Sequence, residues 1–228
     1  MKAAINGFGR IGRAVMRQIL ADHPDIEVVV INDIAPLDML AYLFRYDSTY
    51  GPFHGDIHTE DAALILNGRR IPVTQTADVQ DLNVHDADIL LECTGKMRRQ
   101  ADAQAALTQG VRDVLISGPC DATVPTVVIG ANDDNLGAHR VVSNASCTTH
   151  AIAPLLALID AQFGITAGHV TTVHCYTNSQ PLVDGPRATP ARSRAAAQSM
   201  IPTTTSATQV VSLVLPRLAG RLTGAALR

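Results

Sequence analysis

A glycine-rich turn near the start of the chain constrains its fold more than any other feature. The G-x-G-x-x-G motif occupies residues 7–12, between a short apolar run at residues 3–6 and a helical stretch at residues 13–20. A second apolar run, residues 26–31, follows and leads to Asp33. Strand, glycine turn, helix and strand form a βαβ unit, so the sequence predicts α/β structure with parallel strands.

The same motif predicts a dinucleotide site. Glycines let the backbone approach a pyrophosphate, which then lies at the positive N-terminal end of the following helix. Asp33 lies 21 residues beyond Gly12, close to the spacing of an acid that binds the 2′-hydroxyl of the adenosine ribose. Because its carboxylate would repel a 2′-phosphate, NAD is favoured over NADP. A glycine turn without a ligand is the alternative, and the flanking strand, helix and acid make it less favoured.

The alternation of strands and helices continues and then changes. Strands are predicted at residues 89–93, 114–117 and 126–129, and a helix at residues 100–107, which favours a Rossmann-type doubly wound parallel sheet. After about Cys147 we predict a long helix containing Pro154, a strand at residues 168–177, loop at residues 178–206, and a helix or strand at residues 210–215. We therefore predict an NAD-binding domain at residues 1–146 and an incomplete α+β catalytic domain at residues 147–228.

Composition excludes several classes of protein. Of the 228 residues, 46% are hydrophobic, which argues against disorder, yet no run is long and apolar enough to span a bilayer. Because the glycine motif begins at residue 7, we expect no secretory signal peptide. Four cysteines are too few for a disulfide framework, so we expect reduced thiols and a cytoplasmic protein.

The second part of the chain carries an excess of arginine. Residues 151–228 contain six arginines, no lysine and two aspartates, whereas residues 1–150 have a net negative charge. The planar guanidinium fork suits phosphate, so the excess predicts a small anionic ligand, although solvated surface charge is the alternative for any single arginine. Nucleic acid is not expected, because there is no basic run and only 4% of residues are aromatic.

A possible nucleophile lies at Cys147, which follows small polar residues and precedes a helical run. A helix N-terminus favours thiolate over thiol, so a cysteine there is suited to attack an electrophile. A nucleophilic thiol needs a base, and His174 is the histidine that lies inside a predicted strand. A buried structural role for that histidine is the alternative on this pattern alone.

The chain is similar to the glyceraldehyde-3-phosphate dehydrogenase family over its whole length. The similar segments follow the family's order and are residues 6–13, 92–95, 143–149, 173–180 and 194–205. The chain departs from the family's pattern where His150, Ala151 and Ser206 replace Asn, Cys and Gly, and where an arginine is missing near Ala77.

The resemblance implies NAD-dependent oxidation and phosphorylation of glyceraldehyde 3-phosphate to 1,3-bisphosphoglycerate, a reaction of glycolysis. Cys147 is the implied nucleophile, which forms a thioester, and His174 the implied base. The implied cofactor-binding residues are Asn6, Gly7, Gly9, Arg10, Ile11, Gly12, Asp33, Thr94, Gly95 and Ser117. The implied residues for substrate and inorganic phosphate are Ser146, Thr148, Thr177, Arg192, Thr205 and Arg228, with Arg194 as an alternative to Arg192. The family also implies a cytoplasmic homotetramer.

Three alternatives stay open. Erythrose 4-phosphate suits the same chemistry, although Thr177 favours the triose phosphate. A non-catalytic NAD-binding remnant is the second, because the resemblance implies that roughly the last third of the family's length is missing after Arg228; exposed apolar surface on the second part is then expected. A metal-dependent hydrolase is the third, with Cys147, His150, His174 and Cys175 as ligands, but adjacent residues of a strand point to opposite faces, so we expect no metal.

Overall fold

The computed structural model describes residues 1–228, which divide into two compact units. One unit contains residues 1–125 and 136–144, and the other contains residues 126–135 and 145–228. No helix in either unit combines the length and the apolar character needed to cross a membrane. The domain boundary at residues 146 and 147 stays a prediction.

The first unit is built on an eight-stranded sheet with the strand order β3-β4-β5-β2-β1-β6-β7-β8. The six strands from β5 to β8 in this order are parallel, and β3 and β4 extend the sheet as an antiparallel edge. The strands are β1 Lys2–Asn6, β2 Glu27–Asn32, β3 Ile57–Glu60, β4 Ala63–Leu66, β5 Arg69–Thr74, β6 Ile89–Glu92, β7 Asp113–Ile116 and β8 Val141–Ser143. The helices are α1 Arg10–Asp22, α2 Leu37–Arg45 and α3 Gln100–Thr108.

Alternate residues of the central strands supply two separate cores. Ala4 packs in one apolar cluster with the alanines of α3, whereas its neighbour Ile5 packs in another with Met16 of α1 and Phe44 of α2. Because successive side chains of a strand point to opposite faces, helices cover both faces of the sheet. The prediction of a doubly wound parallel sheet is confirmed.

Two details differ from the sequence-based prediction for residues 1–146. Residues 126–129 do not form a strand, and only Thr126 makes an isolated bridge. Val128 is instead fully buried in the core of the second unit, and a short apolar run has no periodicity that separates a strand from a buried loop. The antiparallel edge, β3 and β4, was not predicted.

The second unit has two helices and a three-stranded sheet. Its elements are α4 Cys147–Phe163, β9 Gly168–Val173, β10 Pro202–Thr203, α5 Ala207–Val214 and β11 Leu222–Leu227. β11 is the central strand, parallel to β9 and antiparallel to β10. The apolar face of α5 packs on Ala153 of α4 and on Leu218, which forms a small third core.

Two features of the second unit differ from the sequence-based prediction, and these are the end of β9 and the presence of β11. β9 ends at Val173, so His174 follows the strand rather than lying inside it. The predicted long helix containing Pro154 is confirmed as α4. Residues 210–215 belong mainly to helix α5, and strand β11 was not predicted because its Thr, Gly and Ala residues lack the apolar alternation of a half-buried strand.

Candidate active site

Cys147 is the first residue of α4, and its thiol is exposed. Ser146 caps the helix, because its extended backbone (φ −116°, ψ 160°) lets its Oγ accept a hydrogen bond of 3.2 Å from the backbone N–H of Thr149. The first turn contains no acidic residue. The thiol therefore lies at the positive end of the helix dipole, beside backbone N–H groups that the helix leaves free.

His174 lies against this thiol. Its Nε2 is 3.3 Å from Sγ of Cys147, and its Nδ1 is 2.6 Å from the carbonyl oxygen of Cys175. Since a carbonyl only accepts hydrogen bonds, Nδ1 carries the proton in the neutral ring. That tautomer leaves the lone pair of Nε2 facing the thiol, which is the arrangement that a base needs.

Strand pairing fixes the histidine. The backbone N–H of His174 donates to the carbonyl of Leu227 at 2.8 Å, which continues the pairing of β9 with β11 by one residue. Arg228 follows β11 and exchanges two backbone hydrogen bonds with Ile201, of 2.7 and 2.9 Å. The carboxyl ends of two parallel strands therefore hold His174 and Arg228 at one edge of the small sheet.

Two arginines of this unit donate to hydroxyl groups. Arg228 donates from Nη1 to Oγ1 of Thr177 at 3.0 Å. Arg192 donates from Nη1 to Oγ of Ser179 at 3.0 Å and from Nη2 to Oγ1 of Thr203 at 2.8 Å. Guanidinium and hydroxyl donors together form a chemically suitable surface for phosphate.

Other predicted site residues lie outside these contacts. Arg194, the alternative to Arg192, forms an ion pair with Asp184 at 2.8 Å and so already has a counter-charge. Thr205 uses its Oγ1 to accept from the backbone N–H of Ala207 at the start of α5. Thr148 follows Cys147 in the first turn of α4 and is half-buried.

Sequence reasoning missed the hydroxyls of Ser179 and Thr203, which hold Arg192. Both lie in or next to the segment predicted as loop, where no periodicity indicates which side chains meet. Their contacts depend on how residues 178–203 fold back, which the sequence pattern does not indicate.

The first unit contains a cavity of about 550 Å³ at the carboxyl ends of the central strands. Among the predicted cofactor residues, those that line it are Asn6, Gly7, Gly9, Asp33 and Thr94. The others, which are Arg10, Ile11, Gly12, Gly95 and Ser117, do not line it. The open end of a parallel sheet is the usual place for a dinucleotide.

The three motif glycines serve different purposes. Gly7 has φ +91°, and a Cβ there would lie 2.7 Å from the backbone nitrogen of Thr94. A Cβ on Gly12 would lie 2.1 Å from the carbonyl oxygen of Gly7, so Gly12 is needed for the close contact between α1 and the turn. Gly9 has no protein atom within 4 Å of an added Cβ and is the N-cap of α1 without a side-chain cap. That open space before free helix N–H groups fits a pyrophosphate.

Asp33 is held at the end of β2 by the glycine turn itself. Its Oδ2 accepts from the backbone N–H of Phe8 at 2.7 Å, and its Oδ1 accepts from that of Ala35 at 2.9 Å. A carboxylate fixed in this way can receive ribose hydroxyl groups, so the residues present fit NAD.

A buried polar network supports this edge. Glu92 is 1% exposed and accepts from Nδ2 of Asn6 at 2.5 Å and from the backbone N–H of Thr94 at 2.8 Å. Asn32 donates to Oδ1 of Asn6 at 2.8 Å. The side chain of Asn6 is thus held by two neighbouring strands.

Cys93 is the least acidic thiol near this edge. Burial raises the pKa of Cys93 to about 11, although a hydrogen bond from Ser117 partly opposes the effect.

Residues 1–228 contain no group of three or more His, Cys, Asp or Glu side chains placed to hold a metal ion, so the metal-hydrolase alternative gains no support. Sγ of Cys175 also lies 3.7 Å from Nδ1 of His174, so the expectation that these neighbours point apart was wrong.

Comparisons with known proteins agree with the two units. Residues 1–100 match the family model for the glyceraldehyde 3-phosphate dehydrogenase NAD-binding domain, and residues 146–228 match the model for its C-terminal domain. Glyceraldehyde-3-phosphate dehydrogenases of Clostridium acetobutylicum and Geobacillus stearothermophilus are each 44% identical to the chain, and the corresponding enzyme 1 of Bacillus subtilis is 43% identical. In each case the similarity covers 100% of this chain and 69% of the relative. The erythrose 4-phosphate alternative finds no support among these relatives.

Proposed function

The chain belongs to the glyceraldehyde-3-phosphate dehydrogenase family, whose members are NAD-dependent oxidoreductases of glycolysis, and we propose that Cys147 and His174 are its catalytic pair. The reaction is the oxidation of glyceraldehyde 3-phosphate with uptake of inorganic phosphate to give 1,3-bisphosphoglycerate. The observation that supports the pair best is the 3.3 Å distance between Sγ of Cys147 and Nε2 of His174.

The proposed chemistry begins with proton transfer. Nε2 of His174 takes the thiol proton, and the thiolate of Cys147 attacks the aldehyde carbon to give a hemithioacetal. The carbonyl oxygen of Cys175 accepts a hydrogen bond from Nδ1 of His174 and so stabilises the charged imidazolium ring. The alkoxide left by this attack takes the proton from Nε2 of His174 and becomes the hemithioacetal's hydroxyl group. The neutral Nε2 then removes this hydroxyl proton as the hydride leaves, while the backbone N–H of Cys147 stabilises the oxyanion. NAD, when bound, accepts the hydride of this oxidation. Inorganic phosphate then attacks the thioester on Cys147 and frees the thiol.

We also assign two anion pockets, following the pattern of the family. Thr177 and Arg228 bind the phosphate of the substrate, and Arg192 with Ser146, Thr148 and Thr205 binds the attacking phosphate. The guanidinium groups of Arg192 and Arg228 support this assignment, since both donate to hydroxyl groups and neither forms an ion pair with a carboxylate in residues 1–228.

The cofactor would be held at the cavity of the first unit. Gly9, Arg10, Ile11 and Gly12 present the N-terminus of α1 to the pyrophosphate, and Asp33 binds the adenosine ribose. Gly7 and Asn6 shape the turn, and we assign Thr94, Gly95 and Ser117 to the ribose and nicotinamide end.

The test is NAD reduction followed at 340 nm with glyceraldehyde 3-phosphate and inorganic phosphate. We expect turnover by the 228-residue chain and a loss of about 10⁴-fold or more in Cys147→Ser, because the oxygen nucleophile is far less readily ionised. His174→Asn is expected to lose about 10²- to 10⁴-fold. Cys120→Ser, in the other unit, is the matched control and should keep full activity.

Retention of turnover by Cys147→Ser would refute the thioester mechanism. A wild-type chain that binds NAD but does not turn over would instead be the NAD-binding protein without catalysis that the sequence left open. We further propose a cytoplasmic homotetramer, as is typical of the family, and light scattering of the purified chain tests the oligomeric state.

A further inference from the structure

The two assigned anion pockets are joined by a chain of hydrogen bonds. Oγ1 of Thr177 accepts from Arg228 at 3.0 Å and lies 3.1 Å from Oγ of Ser179. Oγ of Ser179 in turn accepts from Arg192 at 3.0 Å, and Arg192 also donates to Thr203. The hydroxyl group of Ser179 therefore links the two pockets, because it contacts Thr177 of one and Arg192 of the other.

A hydroxyl group has one proton, and this limits what the chain can do. Thr177 and Ser179 each accept from an arginine, so the short contact between them uses the proton of one of the two. The residue that gives its proton to the other has none left for a bound phosphate oxygen. Only one of the two hydroxyls can donate to a ligand while their mutual hydrogen bond persists.

We propose that Ser179 is a positioning residue that couples the two anion pockets, so that phosphate bound in one weakens phosphate binding in the other. This inference rests on the proposed function, because it takes the two pockets from it. A second phosphate needs the hydroxyl proton that Thr177 and Ser179 share in their mutual hydrogen bond. Binding of this phosphate therefore breaks the hydrogen bond between Thr177 and Ser179. Loss of one hydrogen bond predicts a weakening of about three- to tenfold, in addition to the Coulomb repulsion between the two anions.

The coupling matters for the order of events at the site. Substrate phosphate in the pocket of Arg228 would disfavour inorganic phosphate at Arg192 until the hydrogen bonds rearrange. Early occupation by inorganic phosphate, before the thioester exists, is thereby reduced.

The test is calorimetric titration of inorganic phosphate into the full chain, with and without saturating sn-glycerol 3-phosphate as a substrate analogue that carries no aldehyde. In the wild type we expect the analogue to weaken phosphate binding. In Ser179→Ala only the Coulomb part of that effect should remain, so the analogue's effect should be about three- to tenfold smaller. Ser179→Thr keeps a hydroxyl and should retain the wild-type coupling.

Controls separate this inference from the assigned pockets. Ser199→Ala, on the same long loop but outside these hydrogen bonds, should behave as wild type, and melting temperatures verify that each variant is folded. Equal coupling in wild type and Ser179→Ala overturns the inference alone. Phosphate binding that is absent from the wild type, or unchanged in both Arg192→Ala and Arg228→Ala, overturns the pockets and the inference together.

Discussion

The four cysteines differ in the solvent exposure of their thiols. Cys147 and Cys175 are exposed, whereas Cys93 and Cys120 are partly buried. Burial raises the pKa of both buried thiols, to about 11 for Cys93. Because a raised pKa keeps the proton on the thiol, only about one Cys93 in a thousand is thiolate at pH 8, compared with about a quarter for an ordinary exposed thiol.

Alkylation by iodoacetamide at pH 8 should therefore be fastest at Cys147 and at least about 100-fold slower at Cys93. The rate at Cys93 should rise about tenfold per pH unit up to about pH 11, as its thiolate fraction grows. Peptide mass spectrometry after short exposures measures each site separately. Cys175 is the matched exposed control that also lies near His174 but has no helix N-terminus, and equal rates at Cys147 and Cys175 would contradict a special role for the helix N-terminus.

Gly9 and Gly12 allow a direct test of the cofactor position at single residues. Gly9→Ala adds a methyl group where no protein atom lies within 4 Å, so stability should fall by less than about 1 kcal/mol. The methyl group would occupy the space assigned to the pyrophosphate, so NAD affinity should fall by about tenfold or more. Gly12→Ala, whose Cβ would clash with the carbonyl of Gly7, should lose about 1–3 kcal/mol of stability. Fluorescence titration with NAD and urea unfolding measure the two effects, and unchanged NAD binding by a folded Gly9→Ala would place the pyrophosphate elsewhere.

At the scale of elements, α4 and α5 both have a serine at the N-cap position, but the two serines make different contacts. Ser146 caps α4 with its side chain, whereas Ser206 at the start of α5 makes no side-chain cap. Ser146→Ala should lower the free energy of unfolding by about 1 kcal/mol, and Ser206→Ala should change it by only a few tenths. Urea unfolding of both variants tests this, and equal losses would show that the cap of α4 contributes nothing of its own.

The sequence predicted elements well where a local pattern carries the information. The glycine turn at residues 7–12 requires a strand before it and a helix after it, and β1, α1 and β2 follow as expected. Cys147 was placed correctly at a helix start, because small polar residues before an apolar run indicate an N-cap. His174 was predicted inside a strand, but β9 ends at Val173, and only the backbone hydrogen bond from His174 to Leu227 extends the pairing with β11 by one residue.

The contacts that assemble the anion pockets were not predictable from such patterns. Arg192 and Arg228 were named from the family's motif, but the link through Ser179 depends on tertiary folding of a loop. The network of Glu92, Asn6 and Asn32 likewise joins three separate strands. Long-range contacts of this kind leave no periodic signal in a single sequence.

At the scale of the whole molecule, the second unit exposes large apolar side chains along helix α4. Along α4, Leu155 and Leu158 are 55% and 61% exposed, and their spacing of three residues makes them neighbours on the helix surface. Phe163, the last residue of the helix, is 86% exposed. The opposite side of the same helix, including Leu156, packs on the third core. Exposed apolar patches promote dye binding and association, so this helix should govern the solution behaviour of the chain.

Substitutions of Leu156 and Leu158 in α4 compare a side chain that packs on the core with one on the surface. Leu158→Gln should reduce binding of the dye ANS and slow aggregation on warming, and should change the free energy of unfolding by less than about 0.5 kcal/mol, because the side chain already lies in water. Leu156→Gln places a polar group where a partly buried side chain packs against the third core, and it should cost about 1–3 kcal/mol. ANS fluorescence, light scattering and urea unfolding of the two variants measure these effects. If Leu158→Gln destabilised the chain as much as Leu156→Gln, that side chain would have to be covered in solution, and the exposed face of α4 would be an interface rather than free surface.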